Sequence, residues 1–240
     1  MSANPGKYQG ITFKMDSNHI LSSFRIGDTI IQCVPSVKLL ELHFDDQLKF
    51  NVHIENICIK AGRQINALMR LSKSLDTKSK MAIYNTFILS NFSYCPLVWA
   101  CCGKTNIQRL EKLQRRALRF VFNDFESDHE QLLFKAGRHT LLIDRIRTLA
   151  IEVFKCVHNI SPNYMCNMFK RQITPYELRD SNKLQLPKFR TITYGFKTFS
   201  YIGAKLWNIL PPHIKGATDV HEFKTLLRTW DNIHQCTDWF

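Results

Sequence analysis

Two adjacent carboxylates, Asp45 and Asp46, raise the first chemical question in this 240-residue chain. Paired aspartates at a tight turn between strands, as in a Tyr-x-Asp-Asp motif, can hold two Mg²⁺ ions that clamp the attacking and leaving oxygens of a phosphoryl transfer. That motif leaves one residue between the ring and the first aspartate, whereas Phe44 directly precedes Asp45. The spacing favours a non-catalytic role in which the acids end a strand and cap backbone N–H groups of the next turn.

Cysteine and histidine spacing predicts no metal site. The eight cysteines form no Cys-x-x-Cys pair, and His129 and His139 lie far beyond zinc-finger spacing from Cys95, Cys101 and Cys102. Most of the cysteines lie within apolar runs, which indicates buried free thiols in a reducing compartment, the cytoplasm or the nucleus. The amino terminus is polar rather than signal-like, so we expect a protein that is not secreted.

One uncharged segment, residues 81–103, is long enough to cross a bilayer. Its polar or helix-breaking residues are Asn85, Ser90, Asn91, Ser93 and Pro96. Each of these is costly in lipid without a partner. The segment therefore predicts a helix buried in a protein core, and no membrane partner is expected.

The basic excess is concentrated in one part of the chain. Formal net charge is +13; residues 60–120 hold 12 Lys or Arg and 2 Asp or Glu, against 5 and 6 in residues 1–59 and 16 and 12 in residues 121–240. Such a concentration favours an anionic partner, because neutralising a phosphate backbone releases counterions. A solvated face that only aids solubility is the alternative, although such faces usually mix both signs.

The first half of the chain changes from strand to helix patterns. Short strands are predicted at 11–14, 23–34 with a turn at Gly27-Asp28, and 37–44, which together make a small antiparallel sheet. From Asn51 apolar residues recur every three or four positions, which predicts a long amphipathic helix. A second, more apolar helix should follow from Lys78 to about Tyr94, and a third after Thr105 as its N-cap.

The second half is predicted to be mainly helical. Helix starts are indicated at Ser127, Thr140, Ser161-Pro162 and Asp219, with a further helix over 200–210. The fold class is therefore α+β and mainly α, with a small N-terminal antiparallel sheet, a helical bundle and a further mostly helical C-terminal region.

Residues 171–199 lack a helical period, and in them basic residues outnumber acidic ones and aromatic residues are interleaved. An extended, basic and aromatic segment suits single-stranded nucleic acid, because rings stack on bases while cations follow phosphates. Packing of the rings under a long loop is the alternative. The candidate base-stacking residues are Tyr176, Phe189 and Tyr194.

Seven stretches carry a resemblance to a known family. They are NPGKYQ (4–9), VKLLELHFDDQLKFNVHI (37–54), KAGRQINALMRLSK (60–73), FILSNFSYCPLVWACCGK (87–104), IQRLEKLQRRALRFVFND (107–124), FKCVHNISPNYM (154–165) and LRDSNKLQLPKFRTITYGFKTFSYIGAKLWNILPPHIK (178–215). In this order they resemble the region after the catalytic palm in the reverse transcriptases of jockey-like non-LTR retrotransposons. Together they span nearly the whole chain.

The resemblance implies three regions: the last palm strands at 1–50, a basic helical thumb at 51–125 and a helical C-terminal connector at 126–240. A thumb grips a template–primer duplex by its backbone, which needs cations on helices and no base readout. RNA or an RNA–DNA duplex is then the expected partner. The candidate phosphate-binding residues are Lys60, Arg63, Arg70, Lys73, Lys112, Arg115, Arg116 and Arg119.

The same resemblance implies what the chain does not do alone. In the family the fingers and the aspartate-bearing palm would lie before Asn4, so we expect no polymerase activity, no catalytic or metal-binding residue and no cofactor; Mg²⁺ would serve only the palm. Palm and fingers of a parent enzyme are a further implied partner. Glu41-Leu42 stands where the family has Gly-Val, which removes the close backbone approach that a glycine permits.

Three other hypotheses stay open. One is a protein-interaction domain without catalytic activity, which an exposed apolar groove beside residues 81–103 would favour. Another is a polymerase that works with a separately encoded palm. The last is a chain that does not fold stably without the palm.

Overall fold

The computed structural model describes residues 8–13, 23–100, 102–172, 182–191 and 195–240. The chain divides into two compact units. Unit 1 is drawn from residues 1–94 and 101–132, and unit 2 from residues 95–100 and 133–240. The mainly helical composition agrees with the predicted fold class.

Two separate antiparallel hairpins begin unit 1. Their strands are β1 (Ser23–Ile26), β2 (Thr29–Gln32), β3 (Ser36–Leu39) and β4 (Leu42–Asp45). The turn at Gly27-Asp28 is confirmed, but the single strand predicted over 37–44 is wrong. Leu40 and Glu41 have φ values of 48° and 65°, so the chain reverses there and Val37 pairs with Phe44. Neither residue is the glycine or asparagine that usually marks such a turn, which is why the sequence concealed it.

The helices of unit 1 are α1 (Asn51–Leu71), α2 (Thr77–Ile83), α3 (Leu89–Ser93) and α4 (Lys104–Phe122), with a π-helical turn (Tyr84–Ile88) joining α2 to α3. The apolar stripe predicted for α1 is buried, apart from half-buried Cys58. Ile65 of α1, Tyr84 of the π turn and Leu110 of α4 are fully enclosed. The N-cap predicted at Thr105 is wrong, because α4 already begins at Lys104, after Gly103 with φ +86°.

Residues 81–94 of the uncharged segment belong to unit 1 and its core, whereas residues 95–100 belong to unit 2. Tyr84, Ile88 and Phe92 are buried, as the interpretation as a core helix required. Among the helices of the described residues, none combines the length and the apolar character that a membrane crossing requires.

The next helix, α5 (His129–Ala136), begins one residue later than predicted. Gln131 N donates to Asp128 Oδ1 at 2.8 Å, and Asp128 N donates to Gln131 Oε1 at 3.1 Å. Asp128 and Gln131 therefore form a capping box, and the cap is Asp128 rather than the predicted Ser127.

Unit 2 is built from α6 (Leu141–Val157), α7 (Asn163–Cys166), α8 (Phe199–Ile209), α9 (Pro212–Lys215), α10 (Val220–Arg228) and a 3₁₀ helix (Asp231–Trp239). The caps predicted at Thr140 and Asp219 are confirmed. Phe154 of α6 stacks on Phe223 of α10 with ring centroids 4.3 Å apart. A Cβ at Gly203 would lie 2.8 Å from Val153 Cγ2, so this glycine lets α8 pack closely against α6.

Candidate nucleic-acid interface

Asp45 caps the turn between β4 and α1. Its Oδ1 accepts hydrogen bonds from Gln47 N at 3.1 Å and Lys49 N at 2.9 Å, and its Oδ2 accepts one from Phe50 N at 2.5 Å. The capping role predicted for this acid is confirmed. Among the described residues, no three His, Cys, Asp or Glu side chains are grouped so that they could hold a metal ion.

The turn between β3 and β4 lies near Lys60, the first of the predicted phosphate-binding residues. Tyr94 Oη donates to Leu40 O at 2.7 Å, which ties the turn to the end of α3. Lys38 lies 2.8 Å from Glu41, and the hydrogen bond and charge of Lys38 lower the pKa of this exposed carboxyl. The charge of Lys60 on α1 lowers the same pKa to a smaller extent.

The cations of α1 lie away from its core. Lys60, Arg63 and Arg70 are exposed, and so is Lys73 just beyond the end of the helix. Because Arg63 and Arg70 are seven residues apart, they lie on one side of α1. That side is opposite the buried stripe.

Helices α1 and α4 run parallel. Asn106 Nδ2 donates to Asn51 Oδ1 at 2.8 Å near their beginnings, and Arg116 Nη2 donates to Asn66 Oδ1 at 2.8 Å near their ends. Arg70 is one turn beyond Asn66 on the same side of α1. The late cations of both helices therefore lie at one end of the pair, a placement that the sequence could not give.

The stripe predicted on α4 is partly enclosed. Lys112 and Arg116 are exposed, whereas Arg115 and Arg119 are half-buried. The Nε atoms of Arg115 and Arg119 are shielded from solvent and have no hydrogen-bond acceptor among the described residues. Both donors are unsatisfied in this conformation, and a phosphate oxygen could accept from them only after the side chains move.

The eight predicted phosphate-binding residues are named the cationic face; they are Lys60, Arg63, Arg70 and Lys73 on or just beyond α1, and Lys112, Arg115, Arg116 and Arg119 on α4. Within the part of the chain that the structure describes, none of them forms an ion pair with a carboxylate. Cations without acidic partners on two adjacent helices can contact successive phosphates without reading bases.

Two further basic side chains beside this face were not singled out in the sequence. His129 Nε2 is buried without a hydrogen-bond partner among the described residues, and burial, followed by the charge of Arg115, lowers the pKa of its imidazole. Arg109 is exposed on α4, and its charge opposes the burial that raises the pKa of Cys58 on α1. The surroundings of His129 and Arg109 depend on contacts between segments far apart in the sequence. No local sequence pattern indicates such contacts.

Only one of the three candidate base-stacking residues lies in the described part of the chain. Tyr176 and Tyr194 lie outside it. Phe189 is 42% exposed and meets Tyr201 edge to face, with ring centroids 4.8 Å apart. The residue is therefore packed against another ring and partly exposed to solvent, which is compatible with base stacking.

Comparison with known proteins finds a distant similarity. The chain is 22% identical over 125 residues to a protein of Drosophila melanogaster described as "Probable RNA-directed DNA polymerase from transposon BS". The match covers 50% of this chain but only 14% of the length of that protein. No protein-family model matches the chain, and no solved structure matches it significantly. Half of the chain is therefore distantly similar to a transposon reverse transcriptase.

Proposed function

We propose that this chain binds RNA or an RNA–DNA duplex through the phosphate backbone, with the cationic face as the contact surface. The observation that supports this most is that, among the described residues, none of the eight cations forms an ion pair with a carboxylate. A face evolved only for solubility would usually carry both signs. Because every duplex presents the same phosphates, binding should be independent of sequence.

The half-buried arginines add a reason for a ligand with many oxygens. A shielded N–H donor without an acceptor costs free energy, and Arg115 and Arg119 each hold one such Nε. If the side chains turn outward on binding, phosphate oxygens would satisfy both donors with charge-assisted hydrogen bonds. These two residues are therefore proposed as the centre of the interface.

The similarity to an RNA-directed DNA polymerase supports a nucleic-acid ligand. We further propose that residues 1–50, 51–125 and 126–240 correspond to the last palm strands, the thumb and the C-terminal connector of such an enzyme. On this proposal the chain binds duplex but does not copy it by itself, because Asp45 is committed to capping.

The test is a fluorescence-anisotropy titration of the purified chain with short RNA–DNA duplexes of two unrelated sequences over a range of salt concentrations. If about half of the eight cations contact phosphates, the log–log slope of affinity against salt should be about −4. Both sequences should bind equally. A slope near zero, or no binding at low salt, would reject the proposal.

A protein-interaction domain is the second candidate, and Phe87 of the π turn favours it because its side chain is 59% exposed. Phe87→Asp should leave duplex affinity unchanged if the cationic face is the functional surface. If the surface around Phe87 is functional instead, the wild-type chain should self-associate in sedimentation velocity and Phe87→Asp should not.

A further inference from the structure

Several aromatic rings and one lysine lie together on and beside α8 in unit 2. Phe189 packs against Tyr201 at 4.8 Å and against Phe196 at 6.0 Å between ring centroids. Lys205 Nζ lies 5.1 Å from the ring centroid of Phe196 and 4.2 Å from that of Trp239. These five residues are the aromatic cluster.

The backbone that carries Phe189 is fixed along α8. The side-chain amide of Asn208 brackets Leu184, accepting from its N at 2.7 Å and donating to its O at 2.9 Å. Phe189 then meets Tyr201, two turns earlier in α8, so the segment from Leu184 to Phe189 runs antiparallel to the helix. A Cβ at Gly195 would lie 2.3 Å from Phe189 Cβ, so only glycine allows this approach.

The segment and helix that carry Phe189, Phe196, Tyr201 and Lys205 are basic, whereas Asp238 precedes Trp239. Residues 181–218 contain six Lys or Arg and no Asp or Glu. Lys188 and Arg190 flank Phe189 and are exposed. This surface favours an anionic ligand.

The exposed ring is not explained by the core of unit 2. Phe154, Trp207 and Phe223 are at most 2% exposed, whereas Phe189 is 42% exposed. Fixed aromatic rings among cations are the features that hold unpaired nucleotides, because every base has a π face and every nucleotide a phosphate.

We propose that the aromatic cluster binds single-stranded nucleic acid, with a base stacked on Phe189 and the neighbouring phosphates on Lys188 and Arg190. Tyr201 and Phe196 position the ring. RNA and DNA share the chemistry involved, so both should bind. The site belongs to unit 2 alone and does not rest on duplex binding by the cationic face of unit 1.

The test measures anisotropy of a labelled oligouridine and, separately, of an RNA–DNA duplex with the full chain. Phe189→Leu keeps apolar bulk but removes the π face, so it should weaken oligouridine binding about tenfold, the loss of one stack. Phe189→Trp should bind at least as tightly as wild type. Duplex affinity should change less than twofold in both variants.

The proposal would be overturned if Phe189→Leu bound oligouridine with wild-type affinity. It would also be overturned if the wild-type chain bound a trimethyl-lysine peptide tightly but did not bind oligouridine. Cross-linking of wild type with 4-thiouridine keeps the test valid if a variant misfolds: adducts should map to residues 182–191 or 195–205, and adducts confined to α1 and α4 would also overturn it. If duplex binding fails while oligouridine binding still depends on Phe189, only the function proposed for unit 1 is rejected.

Discussion

Helices α4 and α6 share an amphipathic period but differ in how they carry charge. Helix α4 has six Lys or Arg and one Glu, whereas α6 has three Lys or Arg and two acids. On α6 Lys155 lies 3.0 Å from Glu152, and burial raises the pKa of Asp144 while the charge of Arg147 opposes that rise. On α4 the cations of the cationic face have no described acidic partner. Periodicity alone therefore predicts a core, while charge pairing distinguishes a structural face from one that fits a ligand.

The two units also differ in how their long helices begin. In unit 2 α6, α8 and α10 start with local side-chain caps at Thr140, Thr198 and Asp219. In unit 1 the N-cap residues of α1 and α4 are Phe50 and Gly103, and neither helix has a side-chain cap there. The start of α1 depends instead on Asp45, five residues before Phe50.

The largest expected effect is on the free energy of unfolding and concerns the aromatic core to which α6 contributes Phe154. Phe154→Ala removes a fully buried ring stacked on Phe223 and should lower the free energy of unfolding by about 3–5 kcal/mol in urea denaturation. Phe134→Ala, at a side chain 88% exposed, is the control and should stay within about 0.5 kcal/mol. A small loss at Phe154 would mean that α6 does not organise this core.

Removing charge from α4 should weaken nucleic-acid binding but leave stability nearly unchanged, the reverse of the effect expected for Phe154→Ala. Glutamine at Lys112, Arg115, Arg116 and Arg119 together should weaken duplex binding and reduce the salt slope by about 2, because about half of these cations should contact phosphates. Stability should change little. Glutamine at Lys49, Lys155, Lys224 and Arg228 removes the same charge elsewhere. Equal losses in the two quadruple variants would show that net charge, not the cationic face, governs binding.

The different helix starts can be tested at Asp45. Asp45→Ala leaves three backbone N–H groups without their acceptor and should destabilise unit 1 by about 1–3 kcal/mol in chemical denaturation. Asp45→Asn keeps one acceptor oxygen and should lose less. Primer extension should be absent in wild type and in both variants. If wild type did extend a primer and either variant abolished that activity, a role limited to capping would be contradicted.

A smaller effect concerns His129. Its pKa is lowered in the folded chain by burial and by Arg115, so its stabilisation is complete above the unfolded pKa of about 6.5 and is lost as pH falls through that value towards the folded pKa. Arg115→Gln should raise the pKa of His129 in an NMR titration, whereas Lys112→Gln should affect it less. Equal shifts would place Arg115 no nearer than Lys112.

The smallest effect is expected at the turn between β3 and β4. Glu41→Gly removes a Cβ from a residue at φ 65° and should raise the melting temperature slightly, because glycine adopts that conformation without strain. Glu41→Ala removes the same ion pair with Lys38 but keeps the Cβ, so it should not be stabilising. A glycine variant no more stable than the alanine variant would show that the turn is not strained.

The predictability of the fold depended on whether its signal was local. The buried stripe of α1 and the caps at Thr140 and Asp219 could be predicted because a helix repeats every 3.6 residues and a cap acts within three. The hairpin at Leu40-Glu41 was missed because its positive φ values fall on residue types that rarely adopt them. The predicted start of α5 was one residue too early because Ser127 and Asp128 are both good N-cap residues.

The sequence by itself determined that the chain is mainly helical, that its basic residues concentrate in 60–120 and that Asp45 lacks the spacing of a metal-binding pair. All three depend on the order and type of neighbouring residues. Only the tertiary structure decided that α1 and α4 run parallel with their late cations at one end, that the charge of Arg115 acts on His129, and that Lys205 lies between Phe196 and Trp239. Those arrangements arise where segments far apart in sequence pack together, and packing follows from shape and burial over the whole unit rather than from any local pattern.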